Sequence, residues 1–166
     1  MNYNISVLRI VHDTIVDGFG LRTAIYGAGC EHECYDCHNV ESWGIENGTI
    51  MNIEDIYNEI IVNPLSNITF TGGDPMFQAE AFCELAKRIK TESSKTIWCY
   101  TGYLFESILH DNDYKTELLK QIDVLVDGKY INKLKSHQSL FRGSSNQRII
   151  DVQKSIKRGD IVCLYV

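Results

Sequence analysis

The stretch Ile68-Thr69-Phe70-Thr71-Gly72-Gly73-Asp74-Pro75, with Phe77 to Ile89 and Thr96 to Tyr100 after it, decides the fold. Ile68 to Thr71 is a short β-branched and aromatic run closed by glycines, the mark of a strand ending in a turn. Ala81, Phe82, Leu85, Ala86 and Ile89 then recur at the spacing of one helical face, which predicts a helix over 77–89. Thr96 to Tyr100 is strand-like again. Strand, turn, helix and strand in that order make a parallel βα unit, because parallel neighbours need a crossover.

The same alternation extends outward. Ile5 to Val11 and Thr23 to Tyr26 predict strands, with glycines at 18, 20, 27 and 29 interrupting the chain around them. Ile53, Ile56, Tyr57, Ile60 and Ile61 share one helical face, with Asn52 placed as N-cap and Pro64 beyond the end. A helical stretch carries Leu118 and Leu119, Ile122 to Val126 is a further strand, and Ile161 to Val166 a last one. The expectation is an α/β fold of parallel strands with both sheet faces covered, in one domain spanning residues 1–166. Ligands of such folds gather at the carboxyl ends of the strands. Four loops fall there: Gly27 to Cys37, Thr71 to Pro75, Thr101-Gly102-Tyr103 and Asp127-Gly128-Lys129.

Composition narrows the classes. With 44% hydrophobic and 23% charged residues and only two prolines, the chain is of globular type. The net charge of −6 argues against nucleic acid as a partner. No window approaches the length of a membrane span, and Met1 to Ile10 has no basic region followed by an apolar stretch, so a soluble, cytoplasmic protein is expected. From Lys129 onward eight Lys and Arg face two acids, Asp151 and Asp160, against eight facing twenty before it. That basic tail suits either an acidic protein surface or a solvated face.

Six cysteines in a cytoplasmic chain read as reduced thiols or metal ligands. Cys30, Cys34 and Cys37 form C-x3-C-x2-C, so that one short loop can present three sulfurs to one iron–sulfur cluster. A cubane held by three thiolates keeps one iron open for another ligand. The alternatives are a zinc site completed by His32 or His38, or unrelated thiols; zinc sites usually pair C-x2-C with a distant second pair. Cys83, Cys99 and Cys163 stand alone on apolar segments, as core thiols do.

The Gly72-Gly73 pair lets a ligand approach the backbone, and Asp74 adds an acceptor suited to an ammonium group. The loop is too short for a dinucleotide fingerprint and lacks the Lys-Ser/Thr of a P-loop. Trp98 to Tyr103 and Asp127-Gly128-Lys129 are weaker signals. Phe141 to Arg148 concentrates donors between two apolar stretches, and by composition alone is a surface loop.

Taken together these residues resemble the radical S-adenosylmethionine (SAM) enzymes, and within them the anaerobic ribonucleoside-triphosphate reductase-activating proteins. The likeness runs through Asp17 to Arg22, Gly29 to Trp43, the Gly-Gly-Asp-Pro loop, Tyr100 to Tyr103, Val124 to Lys129 and Arg142 to Arg148; the last three blocks are the specific ones. It implies an incomplete (partial) β/α barrel of parallel strands with outer helices, and a [4Fe–4S] cluster on Cys30, Cys34 and Cys37. It also implies SAM bound through Asp36, Cys37, His38, Gly72, Gly73, Asp74, Asp127 and Lys129. Many members carry an aromatic residue before the third cysteine, where this chain has Asp36.

The implied activity is reductive cleavage of SAM to methionine and a 5′-deoxyadenosyl radical, which takes a glycine Cα hydrogen from the anaerobic (class III) ribonucleotide reductase. Electrons would come from a flavodoxin or ferredoxin. No side-chain acid or base is required, since the cofactors carry the chemistry. The rival readings are activation of another glycyl-radical enzyme such as pyruvate formate-lyase and, outside enzymes, a zinc-binding interaction module. The cysteine pattern sets the first prediction. Anaerobically reconstituted protein should hold about four irons and four sulfides per chain. Serine at Cys30, Cys34 or Cys37 should abolish this by metal and acid-labile sulfide assay, and serine at Cys83, Cys99 or Cys163 should not. Stoichiometric zinc without sulfide would falsify it.

Overall fold

Seven strands and five helices build an α/β fold in the computed structural model, which describes residues 2–165. In chain order they are β1 (Asn4–Thr14), β2 (Arg22–Gly27), β3 (Thr49–Asn52), α1 (Ile53–Ile60), β4 (Asn67–Gly72), α2 (Ala79–Glu92), β5 (Ile97–Tyr100), α3 (Phe105–Asp111), α4 (Tyr114–Gln121), β6 (Val124–Asp127), β7 (Arg148–Asp151) and α5 (Val152–Arg158). One sheet takes them in the order β3-β1-β2-β4-β5-β6-β7. Among the described residues no helix is long and apolar enough to cross a membrane.

The sheet is mixed, which corrects the expectation of parallel strands throughout. β2, β4, β5 and β6 run parallel, while β1 pairs antiparallel with both β2 and β3, and β7 antiparallel with β6. The reason is the connections. Between β4, β5 and β6 the chain crosses back through helices, which parallel pairing requires. Between β1 and β2, and between β6 and β7, no α-helix intervenes, so the chain returns in the opposite sense. The strand expected over 161–166 is reduced to one antiparallel bridge, Ile150 to Cys163; Val166, like Met1, lies outside the described residues.

The helices cover one face only. Period-two alternation sends Ile97, Cys99, Leu125 and Ile150 to that side, where Ile56, Phe82, Leu85, Ile108, Leu118 and Val152 from all five helices complete the main core. The opposite face carries Trp98, Val126 and Ile149, with Tyr100, Val124, Phe141 and Leu164 packed on them from strands and loops. Local caps define the helices: Asn52 accepts from Glu54 N (2.8 Å), Asp113 from Lys115 N (2.8 Å) and Asp151 from Lys154 N (3.0 Å). Cys83 and Cys99 are fully buried core thiols.

One charged group fastens the antiparallel edge. Arg148, opening β7, donates through Nε and Nη2 to the Asp127 carboxylate that ends β6 (3.0 and 2.5 Å), and grips Glu106 on α3 (3.0 and 2.7 Å). Asp127 is fully buried and also accepts from Phe105 N (2.9 Å), so a single carboxylate ties β6, β7 and the head of α3 together. Arg148→Ala would leave that carboxylate one main-chain donor. It should lose on the order of 2–3 kcal/mol in urea denaturation at neutral pH, because an unpaired buried charge keeps its desolvation cost. Arg148→Lys should recover only part of this, lacking the planar fork. Glu106→Gln, at an exposed partner, should cost only about 0.5 kcal/mol.

Candidate functional site

Because β2, β4, β5 and β6 are parallel, their carboxyl ends share one rim. A cavity of ≈ 200 Å³ opens there, lined by Cys30, Cys34 and Cys37 with His32, His38 and Asn39 from the loop after β2, Thr71 to Gly73 from β4, Tyr100 to Gly102 from β5, Gly128 and Tyr130 after β6, and Gly143 and Gln147 before β7. All three thiols are half-buried and free. Four loops distant in sequence thus meet at the cysteines.

The cysteine loop is held at its root and across its turn. Gly29 N donates to Ser42 O (2.7 Å) and Cys30 N to Trp43 O (3.1 Å), which closes the loop; Cys37 N donates to Cys34 O (3.1 Å). Asn39 N lies 3.4 Å from Cys37 Sγ and donates to it. Burial pushes the Cys30 thiol up to about 11, against the smaller opposing effect of the His32 main-chain N–H. Metal loading must therefore displace its proton. Among the described residues no three His, Cys, Asp or Glu side chains converge as they would around one ion. The three sulfurs border one cavity with the glycine turn.

The paired glycines are required by the fold itself. A Cβ on Gly72, whose φ is +102°, would come within 2.5 Å of Gly27 O; one on Gly73 would meet Gly29 O at 2.5 Å and Ser42 O at 2.9 Å. What approaches these glycines closely is the protein's own main chain. Gly73 N donates to Gly27 O (2.8 Å) and Asp74 N to Gly29 O (2.9 Å), so the glycine turn is laced to the root of the cysteine loop.

The residues singled out by sequence divide into three groups. Cys37, His38, Gly72 and Gly73 line the cavity with the other two thiols. Asp74 and Asp127 are buried behind its wall, at 3% and 0% exposure, each engaged by protein donors. Asp36, at φ 59°, and Lys129 are exposed and outside the lining. The sequence reading passed over Tyr130, whose ring meets His38 edge-on at 5.2 Å, and held Gln147 only as one of the donors of Phe141 to Arg148. Gln147 Oε1 accepts from Gly143 N and Ser144 N (2.8 and 3.1 Å), and its Nε2 donates to Gly128 O (2.9 Å). With Asn146 Nδ2 on Lys129 O (2.9 Å), it turns the expected surface loop into the far wall of the site. The available signal was the density of donors in that loop beside the glycine of Asp127-Gly128-Lys129.

Comparison with known proteins agrees with the donor set. A family model described as a 4Fe-4S single cluster domain matches residues 16–150. An anaerobic ribonucleoside-triphosphate reductase-activating protein of Enterobacteria phage T4 is 35% identical over 155 residues, covering 90% of this chain and 93% of the relative. Proteins of the same name are 31% identical in Haemophilus influenzae (90% and 97% covered) and 34% identical in Escherichia coli strain K12 (80% and 90% covered). With identities of 31–35% over 80–90% of its length and a matched 4Fe-4S single cluster domain, this chain belongs to the family of anaerobic ribonucleoside-triphosphate reductase-activating proteins.

Proposed function

We propose that this chain holds a [4Fe–4S] cluster on Cys30, Cys34 and Cys37, binds SAM at the open iron, and generates the glycyl radical of an anaerobic ribonucleoside-triphosphate reductase. The observation that carries this reading is the convergence of three free thiols and the side-chain-free Gly72-Gly73 edge on one cavity. The four adjacent parallel strands are the portion of an incomplete β/α barrel that such an enzyme would need, in a single radical SAM domain over residues 1–166. Held on Cys30, Cys34 and Cys37, the cluster would supply the single electron, received from an external donor, for reductive cleavage of SAM, the chemistry by which a glycine Cα hydrogen of the reductase would be removed.

The chain's own residues bind, orient and enclose. Thr71, Gly72 and Gly73 offer a main-chain edge on which the polar end of SAM can lie without a side chain in the way. His38 and Tyr130 supply the aromatic wall for a purine, in place of a ring at position 36. Gly143 and Gln147 close the far side and exclude water. Asp74 and Asp127 act from behind the wall, and Asp36 and Lys129 stand on its outer edge. A small ferredoxin or flavodoxin in the cytoplasm is the matching electron donor, and neither nucleic acid nor membrane enters the reading.

Reduced protein mixed with SAM and the reductase should give a glycyl-type doublet in electron paramagnetic resonance on the reductase, with pyruvate formate-lyase silent in the same mixture. A doublet on pyruvate formate-lyase alone would overturn the assignment. Tyr130→Ala should weaken SAM binding to the cluster-loaded protein by roughly tenfold, the loss expected for one aromatic–base stack. Iron content should be unchanged, and Tyr130→Phe should bind almost as wild type in anaerobic calorimetry. Unaltered affinity in Tyr130→Ala would place the purine elsewhere.

A further inference from the structure

One buried carboxylate beside the cysteines is taken up by groups of the cavity's own wall. Asp74 Oδ2 accepts from His32 Nε2 (2.5 Å), Thr101 Oγ1 (2.9 Å) and Gly102 N (3.0 Å), and Oδ1 accepts from Met76 N (2.9 Å). Its side chain is 2% exposed and that of His32 6%. The donors come from three loops: the cysteine loop after β2, the turn after β4 and the turn after β5. With four donors in place, the carboxylate has little left to offer an ammonium group in the cavity.

His32 lies between the first two cysteines, and its ring is fixed on every side. It meets Tyr103 edge-on at 4.5 Å, and a Cβ on Gly102 would strike it at 2.4 Å. Holding the ring therefore ties the cysteine loop, between its first two thiols, to the turns after β4 and β5. Hydrogen bonds to cluster sulfurs, and the groups that orient ligands from behind, tune a metal centre and its affinity.

We infer that His32 is a positioning residue, anchored on Asp74 so that the loop carrying Cys30 and Cys34 is held against the turns after β4 and β5, and that Asp74 is this anchor and not a contact to the SAM amino group. The inference rests on the proposed cluster. His32 needs no titration and no contact with substrate for this role. It acts through the loop that carries Cys30 and Cys34.

The test uses the cluster-loaded full chain. His32→Ala should raise the rate of iron loss to a chelator about tenfold and change the line shape of the reduced cluster in electron paramagnetic resonance. His32→Gln, whose Nε2 can reach the same carboxylate, should restore most of both. Asp74→Ala should reproduce the His32→Ala spectrum, and the double variant should add little to either single one, as for two residues acting as a unit. If Asp74→Ala does not fold, the His32→Ala and His32→Gln pair decides. A His32→Ala protein with wild-type spectrum and iron retention would overturn the inference. So would an Asp74→Asn protein that loses SAM binding while keeping the wild-type spectrum, since Asp74 would then be a direct contact. Failure of wild-type protein to hold any cluster would instead sink the proposed function.

Discussion

The rim of this molecule depends on the carboxylate of Asp74. Parallel strands bring their ends to one side, but nothing in a sheet fixes how the loops beyond those ends sit against each other. Here an acidic side chain at 3% exposure collects donors from three of those loops, and each bond is strengthened by the charge it meets and by its exclusion from water. The glycine turn reaches the same end through main chain, with Gly73 N and Asp74 N bonded to the carbonyls that start the cysteine loop. The thiols border a cavity because both lacings hold.

A second carboxylate, Asp127, repeats the device one strand further on. It caps the head of α3, holds Arg148 and thereby sets where β7 begins, which in turn places Gln147 and Gly143 against the loop after β6. Two buried acids with protein partners thus organise the two halves of the wall. Both were expected to meet the cofactor; in the fold both are buried and engaged by protein donors.

Features that depend on near neighbours in sequence were legible. The C-x3-C-x2-C loop, the strand before Gly72, the helix carried by Phe82 to Ile89 and the Asn52 cap all follow from spacing within one or two turns of chain. What was not legible is short or distant. β7 has four residues and α5 seven, too few for a period to show, and the antiparallel edges depend on the lack of a crossover helix between strands whose existence was itself uncertain from pattern. His32 could be seen only as a candidate metal ligand, because its partner lies 42 residues away. The glycines were read correctly as sites of close approach, but composition cannot say whether a ligand or the protein's own backbone approaches.

The amide of Gln147 has a consequence for the order in which the molecule is made. It sutures Gly143 and Ser144 to Gly128, so the last wall of the cavity is built from residues that are synthesised more than a hundred positions after the cysteines. While the chain is still emerging, the thiol loop faces an open trough, with β7 absent and Asp127 without its arginine. The compartment acquires its fourth side only once the chain has been made through Gln147 and β7, so any shorter nascent chain leaves the thiol loop open on that side.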